Sequence, residues 1–168
     1  AQGIDRAVFP GIQGGPLMHA IAAKAVCFKE AQGEEFVLYQ EQVLKNAQTL
    51  AAGLLEQGFD LISGGTDNHL LLIDLRSKKI NGRDMESLLE RVGITANKNA
   101  IPRDPESPVV TSGVRLGTPA ITSRGMKENE MKTIARLIGR AVEERQNSLA
   151  LVQVRRQVQE LCTAFPLY

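Results

Sequence analysis

His69-Leu70-Leu71-Leu72-Ile73-Asp74-Leu75 decides the fold class. The run is continuously apolar and follows the turn Gly64-Gly65-Thr66-Asp67, so it reads as a buried strand. Just before the turn, Phe59-Asp60-Leu61-Ile62-Ser63 reads as a second, shorter strand. Upstream the period is helical. From about Glu34 to Gln57, Phe36, Val43, Ala47, Leu50, Leu54 and Leu55 recur at helical spacing, and Gly58 closes the segment. An earlier helix, Leu17 to about Ala31, sets Ile21, Ala25 and Phe28 on one face and breaks at Gly33. Downstream, Asn81 caps a helix to about Val92 with Met85, Leu88 and Leu89 facing inward, and Ile94-Thr95-Ala96-Asn97 reads as a third strand. The loop Lys98 to Pro108 contains Pro102, Pro105 and Pro108, which excludes regular structure. A strand through Arg115 follows, then a helix from about Lys127 to Glu144 with Ile134, Leu137, Ile138, Ala141 and Val142 in register. The last helix, about Ser148 to Ala164, presents Leu151, Val154, Val158, Leu161, Cys162 and Phe165. The order predicts an α/β fold: a small sheet covered by helices and approached along a helical spine.

Composition bounds the function. The chain has 168 residues, 43% apolar and 23% charged, which suits one ordinary domain, or one plus part of another. A net charge of +1 gives no electrostatic case for nucleic acid or an anionic membrane. No apolar run approaches the roughly 20 residues that span a bilayer. The start at Ala1, without Met or an apolar signal segment, is read as that of a fragment. Cys27 and Cys162 fall in helical patterns and are expected to be buried thiols in a reducing compartment rather than a disulfide.

The chemistry centres on Thr111-Ser112-Gly113-Val114-Arg115-Leu116-Gly117-Thr118-Pro119-Ala120. One arginine sits alone among small and apolar residues in a strand expected to be largely buried, and a buried guanidinium requires a planar anionic partner. A distant Asp or Glu is the commoner solution; a ligand carboxylate is the other. Gly14-Gly15-Pro16 opens the first helix, with Pro preorganised for its first turn. The glycines serve either a tight helix entry or a backbone anion site suited to phosphate. His19 reads as a packing residue, and His69 as part of an Asx-type turn with Asp67 and Asn68. Asn97, Lys98 and Asn99 lie at a strand end before a loop, where both ligand contacts and turn chemistry occur. There is no Cys/His metal spacing, and Ser112 has no nucleophile-elbow context.

Four motifs occur together in order: Phe9-Pro10-Gly11-Ile12-Gln13-Gly14-Gly15-Pro16-Leu17-Met18-His19; Ser63-Gly64-Gly65-Thr66-Asp67-Asn68-His69; Asn97-Lys98-Asn99 with Asp104-Pro105-Glu106-Ser107-Pro108; and Thr111 to Ala120. In this set the chain resembles the C-terminal portion of serine hydroxymethyltransferase, over essentially Val8 to Tyr168. The resemblance implies a fold-type I pyridoxal-phosphate enzyme that interconverts serine plus tetrahydrofolate and glycine plus 5,10-methylenetetrahydrofolate. It assigns residues 1–33 to the end of the large domain, with the cofactor-phosphate turn and linking helix, and residues 34–168 to the small α/β domain.

By the same resemblance Arg115 binds the substrate carboxylate, Gly14 and Gly15 reach the pyridoxal 5'-phosphate of a neighbouring subunit, and Asn99, Ser107, Pro108 and Val109 hold tetrahydrofolate. A homodimer or tetramer in the cytoplasm is implied. The family's Schiff-base lysine lies upstream in a Thr-rich His-Lys motif that this chain lacks, and neither Lys24 nor Lys98 has that context. The aspartate facing the pyridine nitrogen and the ring-stacking histidine also lie upstream in the family, so the chain alone is expected to be inactive. Val109 stands where many members carry Phe, Ile12 is at a variable position, and Arg103 alters the charge of the folate loop. The alternative is a stand-alone, non-catalytic amino-acid or folate-binding or dimerisation domain.

Overall fold

A computed structural model describes residues 1–167; Tyr168, the last residue of the expected small domain, lies outside the described residues. The chain divides into two compact units, Ala1–Leu38 and the remainder from Tyr39. The first unit holds α1 (Gln2–Arg6), an irregular turn over Ala7–Ile12, α2 (Met18–Ala31) and the start of α3 (Glu34–Glu56). Neither α1, the turn nor α2 buries a residue, so Ile21 and Phe28, on the face read from the sequence, are exposed. Cys27 is exposed too, not buried, and Cys162 is half-buried; both are free thiols.

The second unit is a mixed helix–strand domain. Beyond α3 run β1 (Asp60–Leu61), β2 (Leu70–Asp74), α4 (Gly82–Arg91), β3 (Asn97–Asn99), β4 (Gly113–Gly117), α5 (Pro119–Ser123), α6 (Glu128–Glu143) and α7 (Ser148–Ala164). The strands form one antiparallel sheet in the order β1-β2-β4-β3. Leu71 and Ile73 of β2 and Val114 and Leu116 of β4 share one buried cluster with the apolar stripes of α3, α4, α6 and α7. In α3 that stripe is Ala47, Leu50, Ala51 and Leu54, each at most 4% exposed. Fully burying one such side chain stabilises the fold by roughly 1.5–3 kcal/mol.

Two strands are placed differently from expectation. The segment after Phe59 pairs only over Asp60 and Leu61, then tightens into a turn in which Ser63 adopts φ 64°. The third strand begins at Asn97, not Ile94, because the Ile94 amide is already spent on the α4 end, donating to the Leu89 carbonyl at 2.9 Å. Its middle residue is held from outside the sheet: Glu86 of α4 accepts from the Lys98 amide (3.0 Å) and ammonium (3.2 Å). Those two bonds, the amide first, keep the Glu86 carboxyl below the usual carboxylate range.

A polar brace inside the apolar stripe of α3 fixes the end of β4. Asn46, fully buried, donates to Thr122 Oγ1 and to the Met126 carbonyl, both at 2.9 Å. Thr118, also fully buried, donates to the Val43 carbonyl at 2.9 Å. The chain leaving β4 is thus bolted to α3 on both sides of the short helix α5. Replacing Asn46 by Leu strands the Met126 carbonyl, and urea denaturation is expected to show a loss of about 2–3 kcal/mol. A change below about 0.5 kcal/mol would show that the amide is no brace.

Candidate functional site

The period of a strand is two, and Gly113-Val114-Arg115-Leu116-Gly117 uses it fully. Val114 and Leu116 enter the core, while Gly113, Arg115 and Gly117 share the opposite face. Arg115 is therefore exposed, in contrast to the buried guanidinium expected of so apolar a segment. On that open face its direct cross-strand neighbours are Leu72 of β2 and Asn97 of β3. Gly113 is required by its surroundings: a Cβ there would approach the carbonyl oxygens of Asn99 and Ile73 to 2.8 Å and a methyl of Ile101 to 2.6 Å.

Arg115 lines a cleft of about 600 Å³ together with Asn99, Leu70, Leu72 and the turn Ser63–Asn68. Two further motifs thus meet the arginine there. Among the described residues no carboxylate lies within ion-pair distance of its guanidinium, although Asp67 lines the same cleft. The turn braces itself. Thr66 Oγ1 donates to the Leu70 carbonyl (2.6 Å), and the Leu70 amide donates to Asn68 Oδ1 (2.8 Å). It is Asn68, not the exposed His69, that makes the Asx contact. Ser107, Pro108 and Val109 sit in the irregular loop between β3 and β4 and are not part of this cleft's lining; Val109 is 65% exposed.

That loop is organised by a residue whose role the sequence reading missed. Asp104 accepts from the amides of Ile101 (3.1 Å), Glu106 (2.9 Å) and Ser112 (2.9 Å) and from the Ser112 hydroxyl (2.6 Å). Partial desolvation pushes its carboxyl up, but these bonds, the Ser112 hydroxyl foremost, outweigh it and hold the group far below the usual range. The signal available in the sequence was Asp104-Pro105, an Asx-turn dipeptide inside a proline-rich loop. At the far end of β2, Arg76 grips the mostly buried Asp74 through Nε (3.0 Å) and Nη2 (2.6 Å), and that pairing lowers the Asp74 pKa.

Gly14 and Gly15 lie in the irregular stretch before α2, in the other unit. The helix begins at Met18 with Leu17 as its cap, so Pro16 stands outside the first turn rather than opening it. Neither glycine amide donates to a described backbone carbonyl, neither residue has a positive φ, and a Cβ on either would meet nothing within 4 Å. Nothing within the described residues uses their lack of a side chain. Among the described residues no group of His, Cys, Asp and Glu could hold a metal ion, and no helix is long and apolar enough to cross a membrane.

Compared with known protein families, residues 1–138 match the model described as serine hydroxymethyltransferase. The depressed Asp104 pKa has a measurable consequence, with a definite sign. A carboxyl lowered in the folded state stabilises it above the unfolded value, near 3.9, and loses that contribution as pH falls toward the folded value. The unfolding free-energy difference between wild type and Asp104→Asn is expected to be level above about pH 5 and to shrink below about pH 4. A difference that stays constant across that range in urea titrations would contradict the geometry.

Proposed function

Because the chain belongs to the serine hydroxymethyltransferase family, we propose that it supplies the C-terminal part of an enzyme that interconverts serine plus tetrahydrofolate and glycine plus 5,10-methylenetetrahydrofolate. The helix-covered antiparallel sheet is consistent with the small domain of that family's fold. The observation that carries the reading is Arg115: exposed on the open sheet face, without a carboxylate partner among the described residues, inside a cleft that also holds Asn99.

In this reading Arg115 binds the carboxylate of serine or glycine through paired N–H donors. Fixing that carboxylate fixes the orientation of the amino acid, so that the bond to be broken is held in one geometry. Leu72 and Asn97 lie directly across from the guanidinium on the neighbouring strands, and the Arg115 side chain itself stays exposed to a planar anion. Asn99, one strand away, supplies an amide for the pterin, with Ser107, Pro108 and Val109 completing the folate side. Val109 contributes apolar area without a ring, so the aromatic contact of many relatives is replaced by a smaller one.

Gly14 and Gly15 fit a phosphate: among the described residues no backbone carbonyl accepts from their amides, and two bare Cα atoms in succession let an anion approach those amides closely. They would hold the phosphate of pyridoxal 5'-phosphate in a neighbouring subunit of a cytoplasmic dimer or tetramer. When bound, that cofactor supplies the electron sink for cleavage at the amino acid Cα. The residues that anchor its ring are outside the motifs of this chain, which by itself is inactive.

Two measurements test the reading. In the complete enzyme, Arg115→Ala is expected to raise the serine concentration needed for half-saturation on the order of a hundredfold, while the cofactor absorption stays as in wild type. Unchanged serine saturation would sink the assignment of Arg115. The isolated chain mixed with pyridoxal phosphate should develop no absorption band of a lysine-bound cofactor and no serine cleavage, and the appearance of either would show that the chain carries its own anchor.

A further inference from the structure

We infer that Asp104 is the positioning residue that holds the folate side of the site in register with Arg115, an inference resting on the reading of Asn99, Ser107, Pro108 and Val109 as folate contacts. Its four hydrogen bonds fall at three separated points of one irregular loop. Ile101 follows closely on Asn99, Glu106 immediately precedes Ser107, and Ser112 stands at the entry to the Arg115 strand. One carboxylate therefore ties the beginning, middle and end of the loop to a single point. A segment without helix or strand otherwise has each residue's backbone freedom, worth roughly 1–2 kcal/mol, to oppose its fixed placement.

The backbone on either side supports the same role. Arg103 and Thr111, each adjacent in sequence to a member of this cluster, adopt φ values of 56° and 61°. For a β-branched threonine that conformation is a genuine outlier, and such strain persists only where the surroundings over-determine it. Here they do. The Thr111 carbonyl accepts from Gly82, the Val110 carbonyl accepts from Arg83, and the Thr111 amide donates to Ser107, all at 2.9–3.0 Å. The far end of the loop is thus docked on the first turn of α4, and Asp104 sets the projecting part, residues 102–109, against that fixed end. Asp104 does not line the Arg115 cleft, so it acts through the residues it holds and not on substrate.

The test compares wild type and Asp104→Asn in the complete enzyme, with tetrahydrofolate and serine varied separately and thermal midpoints recorded. Asparagine keeps the size but cannot accept at both oxygens. The expected result is a tenfold to hundredfold rise in KM for tetrahydrofolate with KM for serine within about twofold. Ser112→Ala, which removes one of the four bonds, should give a smaller shift in the same direction, and it carries the test if Asp104→Asn fails to fold. In the chain itself, hydrogen exchange should show the Ile101, Glu106 and Ser112 amides deprotected in Asp104→Asn while the α3 and α6 amides are unchanged. An unaltered KM for tetrahydrofolate, or serine and tetrahydrofolate weakening together as the thermal midpoint falls, would overturn the positioning role. A wild-type enzyme that cleaves serine without saturating in tetrahydrofolate would instead overturn the folate reading beneath it.

Discussion

The second unit depends on β4 being hydrogen-bonded along both edges. β2 takes one edge over its whole length and β3 the other, so neither the height nor the rotation of the strand is free. With register fixed, alternation decides everything about its side chains: two branched apolar residues close the core, and the residues between them face outward. Gly113 is where the constraint is tightest, because the carbonyls of both neighbouring strands crowd its Cα. A side chain there would part the ladder at the point where the loop from β3 joins the strand. The site is thus located by backbone pairing before any polar contact is made.

Outside the sheet, two carboxylates and one amide hold what pairing leaves loose. Glu86 occupies the outward amide of the edge strand β3, which both fixes Lys98 and blunts an edge that would otherwise offer a free donor. Asp104 gathers the β3–β4 loop. Asn46 secures the exit from β4 against α3. Each polar residue satisfies backbone groups that the pairing of helix and strand leaves open, at a strand edge for Glu86 and in irregular segments for Asp104 and Asn46.

The legible part of the chain was its repetitive part. Helices α6 and α7, the capping by Asn81 and the strand around Leu71 follow from periodicity and capping chemistry, which act locally. Asn81 does accept from the Asp84 amide at 2.8 Å. What escaped reading depends on distant partners. Nothing near Ile94 announces that its amide is consumed by a helix end, or that Lys98 is claimed by Glu86 from α4. The exposure of Arg115 was misread because small and apolar neighbours suggest burial on both sides, whereas at Gly113 and Gly117 the adjacent strands crowd the space a side chain would take. At the site, Arg115 and Asn99 were identifiable as residues, but their meeting with the turn Ser63–Asn68 in one cleft is a product of sheet order. Asp104 was visible only as turn chemistry, since its bonds to Ser112 close a loop that sequence spacing does not reveal.

The open face around Arg115 also sets how strongly the guanidinium can act. Two opposite unit charges 4 Å apart attract by about 1 kcal/mol in bulk water but by about 4 kcal/mol at an effective dielectric of 20. Whatever covers the sheet face therefore works as an amplifier of Arg115, by removing solvent rather than by adding a contact. Uncovered, the same guanidinium is subject to the full screening of the surrounding electrolyte, and its hold on an anion weakens as ionic strength rises.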